Sequence, residues 1–527
     1  MDYCKRCETT DGCEIVKHEF ESVLWFFSQF SPENLYHCVI AEHIQRVAER
    51  VKYDSKDILL PFLSSRKYQI YNILNTDRSE MLHLGHREYD EYHRAQVTAF
   101  MQEYGLDEFQ YLLQVCKECI ETVDPKAQKL SYGVECAIGA FAPNNELFVA
   151  VVNAYLDADT PYNVRAYGII QSLLRIMTAD EVKRMIDKHD FSQKSIWLWD
   201  FYVELPTDQI TSAWADNFLL YLEKVPQHLQ SAPYRSLDEI EKFECVDKDI
   251  ILKASRIALS HFEESPFVFD LYFSPMMNSY RVEASKIIAK YKSDISLLED
   301  IYLKCATYSA HNDHDGQFLA GILESDPSFL DRYLDMLLEE NRHLYGSHDK
   351  WASRLEFIWK DALFENRMDR ISDYVYANSE GRRWDYGSII GHLLLHKSGE
   401  MDVAEKQEKW IQHTIELHST DHDRMYALFA AIEEHSETRR RRALETLLRL
   451  NNDYALFEIL PLEASSWGGS GSMIPYMQER ITYLESLKPL LTGVERLQHK
   501  QKVEHDIKVW KSRIKSEEVR ELLDSLG

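Results

Sequence analysis

LFEILPLEASSWGGSGSMIPYMQERITYLESLKPLLTGVERLQHKQKVEHDIKVWKSRIKSEEVRELLDSLG closes the chain, from Leu456 to Gly527. A small-residue loop runs from Leu462 to Ser472, with Trp467 beside Gly468, Gly469, Ser470 and Gly471. Ser472 then offers a cap and Pro475 a first-turn residue, where a missing N–H costs nothing. Ile474, Met477, Ile481, Leu484 and Leu487 recur at steps of three or four, the signature of one buried helical stripe. Pro489 and Gly493 end that helix. A second helix starts near Val494 with Val503, Ile507, Trp510 and Ile514 as its seam. Ser516, Glu517 and Glu518 are read as the start of a final short helix, since carboxylates suit the positive end of a helix dipole. The stretch predicts an antiparallel helical hairpin.

The same period runs outward through the chain. Val16, Phe20, Val23, Phe27 and Phe30 alternate steps of four and three. Ser31 and Pro32 restart a helix whose buried face is Ile40, Ile44, Val47 and Val51. Phe109, Leu112, Cys116, Cys119, Ile120 and Val123 share one face. The aromatic run Ser195–Leu205 is expected as a buried helix, with a strand or an exposed binding edge as alternatives. Pro226 and Pro233 mark a break over 227–236. Ser265-Pro266, Ser274-Pro275 and Asp326-Pro327 repeat the capping device of Ser31-Pro32 at unequal intervals, so no fixed repeat period emerges. The expected fold is all-α, an irregular α-solenoid closed by the C-terminal hairpin. Its expected parts are an N-terminal helical region (1–100) with a cysteine-rich start, a helical array in two halves (101–230 and 231–460), and the hairpin cap (461–527).

The run PLEASSW, the small-residue loop, IPYMQERITYLESLKPLLTG and the charged last helix resemble the ends of large bacterial STAND-type NTPases of anti-phage defence. Looser similarity covers Phe262 to Leu338. In that class the C-terminal helical repeats sense a foreign protein, while a separate P-loop module switches an effector. The resemblance names no catalytic residue, and this sequence has no such module. It therefore implies a sensor role alone, with a protein partner that is either a phage protein or a separate NTPase subunit.

Composition narrows the alternatives. With 45% hydrophobic and 28% charged residues the balance is that of a folded chain. A net charge of −27 opposes broad binding to nucleic-acid phosphates and favours a basic protein partner. No apolar run approaches the ~20 residues needed to span a bilayer, and the N-terminus lacks the apolar core of a signal peptide. A cytoplasmic location is expected, and nine sparse cysteines fit a reducing compartment.

Several constellations carry residue types suited to chemistry. Cys4, Cys7 and Cys13 could form a zinc knuckle with His18, His37 or Cys38, and free thiols are the plainer alternative. No other cofactor is expected. His83, His86 and His93 stand near Glu88, Asp90 and Glu91 in a metal-like composition that also suits a polar loop. Cys116 and Cys119 are spaced as a redox pair, yet both lie on an apolar stripe, where cysteine is a small hydrophobe. His311, Asp313, His314 and Asp315, then His418, Asp421, His422 and Asp423, have the His-Asp composition of metal-dependent phosphohydrolases. That enzyme is the main alternative, and a regulatory scaffold unrelated to defence is another. The dipeptide also recurs at His189, His348 and His505, as composition alone would scatter it. Arg439, Arg440, Arg441 and Arg442 form a basic island in an acidic chain. They are read as a solvated helix surface paired to Glu433, Glu434 and Glu445, or with Trp467 as a partner-docking point. The sequence holds no phosphate loop, nucleophile elbow or H-E-x-x-H motif.

Overall fold

The computed structural model describes residues 20–25, 27–50, 53–75, 85–123, 130–158, 164–224, 237–261, 273, 277, 283–308, 313, 315–343, 349–379, 383–394, 401–432, 437–462 and 472–526. Among these every regular element is a helix, so the chain is all-α. It divides into two compact units. One comprises Met1–Pro233 with Glu239–Ile250, and the other Tyr234–Asp238 with Ile251–Gly527. The break expected over 227–236, and the capping pairs at Ser265 and Ser274, lie outside the described residues.

In the first unit the α-helices are α1 (Leu35–Arg50), α2 (Lys56–Leu63), α3 (Arg66–Leu74), α4 (His86–Met101), α5 (Leu106–Thr122), α6 (Ser131–Ala140), α7 (Asn145–Asp157), α8 (Ala166–Leu174), α9 (Ala179–Lys188), α10 (Lys194–Glu204) and α11 (Ser212–Glu223). Local chemistry sets their starts. Asn144 caps α7 through the Leu147 N–H at 3.2 Å, and Ser65 caps α3 through the Tyr68 N–H. Thr178 and Glu181 satisfy each other's backbone N–H groups at the start of α9. Burial sets their orientation. Phe109, Leu112, Cys116 and Cys119 of α5 are buried together, and α5 packs on α1, α3 and α7. The aromatic run is helix α10, with Trp197, Trp199, Phe201 and Tyr202 inside. Gly133 lets α6 approach α3 closely, because a Cβ there would strike the Leu74 carbonyl.

In the second unit the α-helices are α12 (Ile250–Ser260), α13 (Ala284–Lys290), α14 (Ile295–Tyr308), α15 (Gln317–Ser325), α16 (Phe329–His343), α17 (Asp349–Ala352), α18 (Phe364–Asn378), α19 (Arg383–Leu393), α20 (Met401–His418), α21 (His422–Ala431), α22 (Glu437–Leu450), α23 (Tyr454–Ile459), α24 (Ile474–Leu487) and α25 (Leu497–Leu526). A 3-10 helix, Ser353–Lys360, follows α17. Packing passes from each helix to the next but one. α14, α16, α18, α20 and α22 follow one another in one rank, and α17, α19, α21, α23 and α25 in another. Each helix thus buries its apolar face on close neighbours in sequence, which keeps most contacts local.

The closing hairpin is present as α24 packed on α25. Ser472 accepts from the Ile474 N–H at 3.2 Å, and Pro475 sits in the first turn. The buried stripe is rotated from expectation. Met477, Leu484 and Leu487 are inside, but Arg480 and Tyr483 join them while Ile474 and Ile481 are half-buried. A larger difference lies at Ser516, where no new helix begins. α25 runs unbroken for 30 residues, and the Ser516 hydroxyl donates to the Ser512 carbonyl instead. Neither Gly nor Pro interrupts that stretch, and an Arg520–Glu517 ion pair supports the turn just after the expected boundary.

Candidate functional site

The first His-Asp cluster is built around Asp313. Its Oδ1 accepts from the Phe318 N–H at 3.1 Å, and its Oδ2 from the Leu319 N–H at 3.0 Å. The Tyr302 hydroxyl donates to Oδ2 at 2.8 Å. Asp313 thus caps α15 from across Gly316, which adopts φ +68°. A Cβ on Gly316 would run into the Arg354 carbonyl, so this turn seats directly on the 3-10 helix. The Arg354 guanidinium lies over the Tyr302 ring, 5.9 Å from its centroid. Tyr333, from α16, donates to the Trp351 carbonyl at 2.8 Å. Burial raises the Asp313 carboxyl despite these donors, and burial beside Asp313 raises the Tyr302 phenol. Asp313, Tyr302 and Arg354 are all shut from solvent. The arrangement joins α14, α15 and the 3-10 helix. His311 and His314 lie outside the described residues.

The second cluster lies at the start of α21. Asp421 caps α21 through the Arg424 N–H at 3.0 Å and accepts from the Tyr376 hydroxyl at 3.4 Å. His422 reaches Asp453 at 2.9 Å, and Asp453 caps α23. The Arg424 side chain pairs with Asp373 and lies 5.2 Å from the centre of the Tyr376 ring. Burial and the nearby Arg424 charge hold the His418 imidazole below its usual range. In the first unit, His189 is buried between Asp157 at 2.7 Å and Asn153 at 2.9 Å. Cys116 and Cys119 are buried, and burial pushes the Cys116 thiol far up, away from a reactive thiolate. His93 is buried against Tyr89 and Tyr132, while His83 and the side chain of His86 are not described.

The basic island splits in two. Arg441 and Arg442 are exposed, as a solvated helix surface requires. Arg439 and Arg440 are buried, which corrects the expectation that all four face water or a partner. Arg439 donates to the Leu394 carbonyl at 2.7 Å and to Gln407 Oε1 at 3.0 Å. Trp359 and Gln407 donate to the neighbouring Leu393 carbonyl at 2.7 and 3.0 Å. Together they satisfy carbonyls at the end of α19, which its own backbone leaves open. Arg440 lies over the Tyr483 ring of α24, 4.9 Å from its centroid. The signal was in the sequence: Arg440, Ala443, Leu444, Leu447 and Leu448 share one helical face.

Two features escaped the sequence reading. Arg496 ties the hairpin down by donating to Asn452 Oδ1 at 2.9 Å and to the Leu490 and Leu448 carbonyls at 2.6 and 2.7 Å. One turn on, His499 is buried against Tyr454 and Phe457, and neither ring nitrogen has a hydrogen-bond partner. Burial and the Arg496 charge keep its imidazole below the usual range. Beside it an open polar pocket of about 410 Å³ is lined by Tyr454, Glu458, Gln498, Gln501, Lys502, His505 and Asp506.

Beyond this anchorage α25 turns outward. Val503 and Ile507 are buried, and the Trp510 ring meets Tyr476 edge-on at 6.3 Å. After Trp510 most side chains face water, including Val519 (57% exposed) and Leu523 (63% exposed). Of the sequence-based candidates, Cys4, Cys7, Cys13 and Trp467 lie outside the described residues. Among the described residues no group of three or more His, Cys, Asp or Glu side chains is arranged to hold a metal, and no helix is long and apolar enough to cross a membrane. No protein-family model, no curated protein and no solved structure matches the chain.

Proposed function

We propose that this chain is a non-catalytic helical scaffold, an irregular α-solenoid, that binds another protein. The observation that supports it most is where its reactive side chains go. Asp313, Asp421, His189 and His422 cap helices or bridge neighbouring ones, while α25 turns charged and apolar side chains to solvent. A surface of that kind suits recognition, and a rigid helix presents it at fixed spacing. By the resemblance of its tail, we place the chain as the sensing part of a bacterial anti-phage system, meeting a phage protein or a separate NTPase subunit. The surplus of negative charge suits a partner with a basic face.

The test is to purify the tagged chain from its own host, with and without phage, and to compare phage growth with the gene deleted. A stoichiometric phage protein or NTPase supports the reading. Unaltered phage growth together with no co-purifying protein overturns it.

A further inference from the structure

The outer face of α25 has a composition that fits itself. Val509, Ser512, Ser516, Val519 and Leu523 follow at steps of three and four, so they line one side of the helix. All five are exposed. The Ser516 hydroxyl is turned back onto the Ser512 carbonyl at 3.2 Å, which leaves a small, nearly apolar surface at the middle of the seam. Small side chains there allow another helix to approach closely. This face is not the one used inside the molecule, where Val503 and Ile507 pack inward.

Charge along the helix is divided. Residues 508–515 carry Lys508, Lys511, Arg513 and Lys515 with no acid. Residues 517–524 carry Glu517, Glu518, Glu521 and Asp524 against Arg520 alone. Arg520 is already paired with Glu517 at 2.5 Å, so the second half keeps its negative excess. Two such helices side by side in the same direction would set cation against cation. Reversed, the basic half of each lies along the acidic half of the other, and the helix dipoles oppose favourably as well.

We propose that the occupant of this face is a second copy of the chain, paired antiparallel through residues 508–524 of α25 about a two-fold axis near Ser516. The inference rests on the reading of this surface as protein-binding, and names its partner. Such an interface is isologous, with the same patch used on both chains. The seam is short, ~25 Å at the helical rise, so self-association is reversible, with a dissociation constant on the order of 10 µM. It weakens as salt screens the exposed charges.

Sedimentation of the full chain over a concentration series tests this. The parent is expected to move from monomer to dimer. Lys511→Glu with Lys515→Glu, or Glu518→Lys with Glu521→Lys, should each weaken dimerisation roughly tenfold or more by placing like charges together. Combining all four changes in one chain should restore it, because each half then meets its opposite again. Lys511, Lys515 and Glu518 are exposed, Glu521 is half-buried and Lys511 also reaches Glu485 of α24 at 3.6 Å, so circular dichroism checks that the variants keep their helix content. A parent that stays monomeric to about 100 µM, or a fourfold variant no better than the twofold ones, overturns the proposal. If the parent stays monomeric yet a phage protein or NTPase co-purifies, self-pairing alone has failed. If dimers form while phage growth is unaltered and nothing co-purifies, only the sensor reading has failed.

Discussion

Arg439 donates from its guanidinium to the backbone carbonyl of Leu394, 2.7 Å away and 45 residues earlier in the chain. A residue that reads as one quarter of a solvent-facing basic run is a buried plug for the end of another helix. Burial alone lowers its hold on the proton, and Glu408 opposes that. The guanidinium fork suits this position because it reaches Leu394 and Gln407 at once.

Replacing Arg439 with Ala leaves the Leu394 carbonyl and Gln407 Oε1 without that donor. We expect a loss of about 2–4 kcal/mol in unfolding free energy, against less than about 0.5 kcal/mol for Arg441→Ala. Urea unfolding followed by circular dichroism compares the two. Equal effects would show that Arg439 contributes no more than a surface arginine.

Gly316 and Gly139 should respond to alanine in opposite directions. Gly316 has a positive φ and abuts the Arg354 carbonyl, so Gly316→Ala should cost about 3 kcal/mol or more. Gly139 lies within α6 with open space around it, and Gly139→Ala should add about 0.4–1 kcal/mol. Thermal unfolding measures both, and a harmless Gly316→Ala would contradict the seating of the turn on the 3-10 helix.

Asp313 gives a pH signature of unusual sign. Burial raises its carboxyl above the ordinary aspartate range, against the pull of Leu319 N–H, Tyr302, Phe318 N–H and Arg354. Between the ordinary and the raised value the folded chain keeps a proton that the unfolded chain has released. Its contribution therefore falls as pH rises through that window. Asp313→Asn does not titrate, so the stability lost on that change should shrink as pH rises from about 4, the ordinary aspartate value, through the raised one. Urea unfolding at several pH values reads this, and a gap that widens with pH refutes it.

His499 works in the other direction. Its imidazole is held below the usual range by burial first and Arg496 second, with Asp453 opposing. The unfolded chain takes up a proton at a higher pH than the folded one. The stability it supports is present above about pH 6.5 and is lost as pH falls below that. His499→Phe keeps an aromatic ring against Tyr454 and Phe457 and should flatten this part of the pH profile. Hydrogen exchange along α25 locates the effect, and an identical acid response in both proteins would exclude it.

The helical class was legible because it depends on local period and capping chemistry. Ser472 and Pro475 announce a helix start within a few residues, and the steps of three and four in α5 define a buried face without knowledge of any partner. The side-chain roles were less legible because their partners are distant in sequence. Nothing near Asp313 reveals Tyr302 or Arg354, and nothing near Arg439 reveals Leu394. Arg440 is the instructive exception, since its place among Ala443, Leu444 and Leu447 already put it on the apolar side. The misplaced boundary at Ser516 arose from reading a polar Ser-Glu-Glu triplet as a cap. With good helix formers on each side and no Gly or Pro between them, the helix continues through it instead.

The plugged end of α19 bears on how the second unit is made. Its last carbonyls are closed by Trp359, which precedes it, and by Gln407 and Arg439, which follow. As the chain leaves the ribosome, α19 emerges before two of the three groups that finish it. Its end stays wet until α20 and the start of α22 have been translated. Folding of this unit is thus partly deferred to the arrival of later sequence, and a nascent chain halted near residue 430 should be more open to protease at α19 than one released a few dozen residues later.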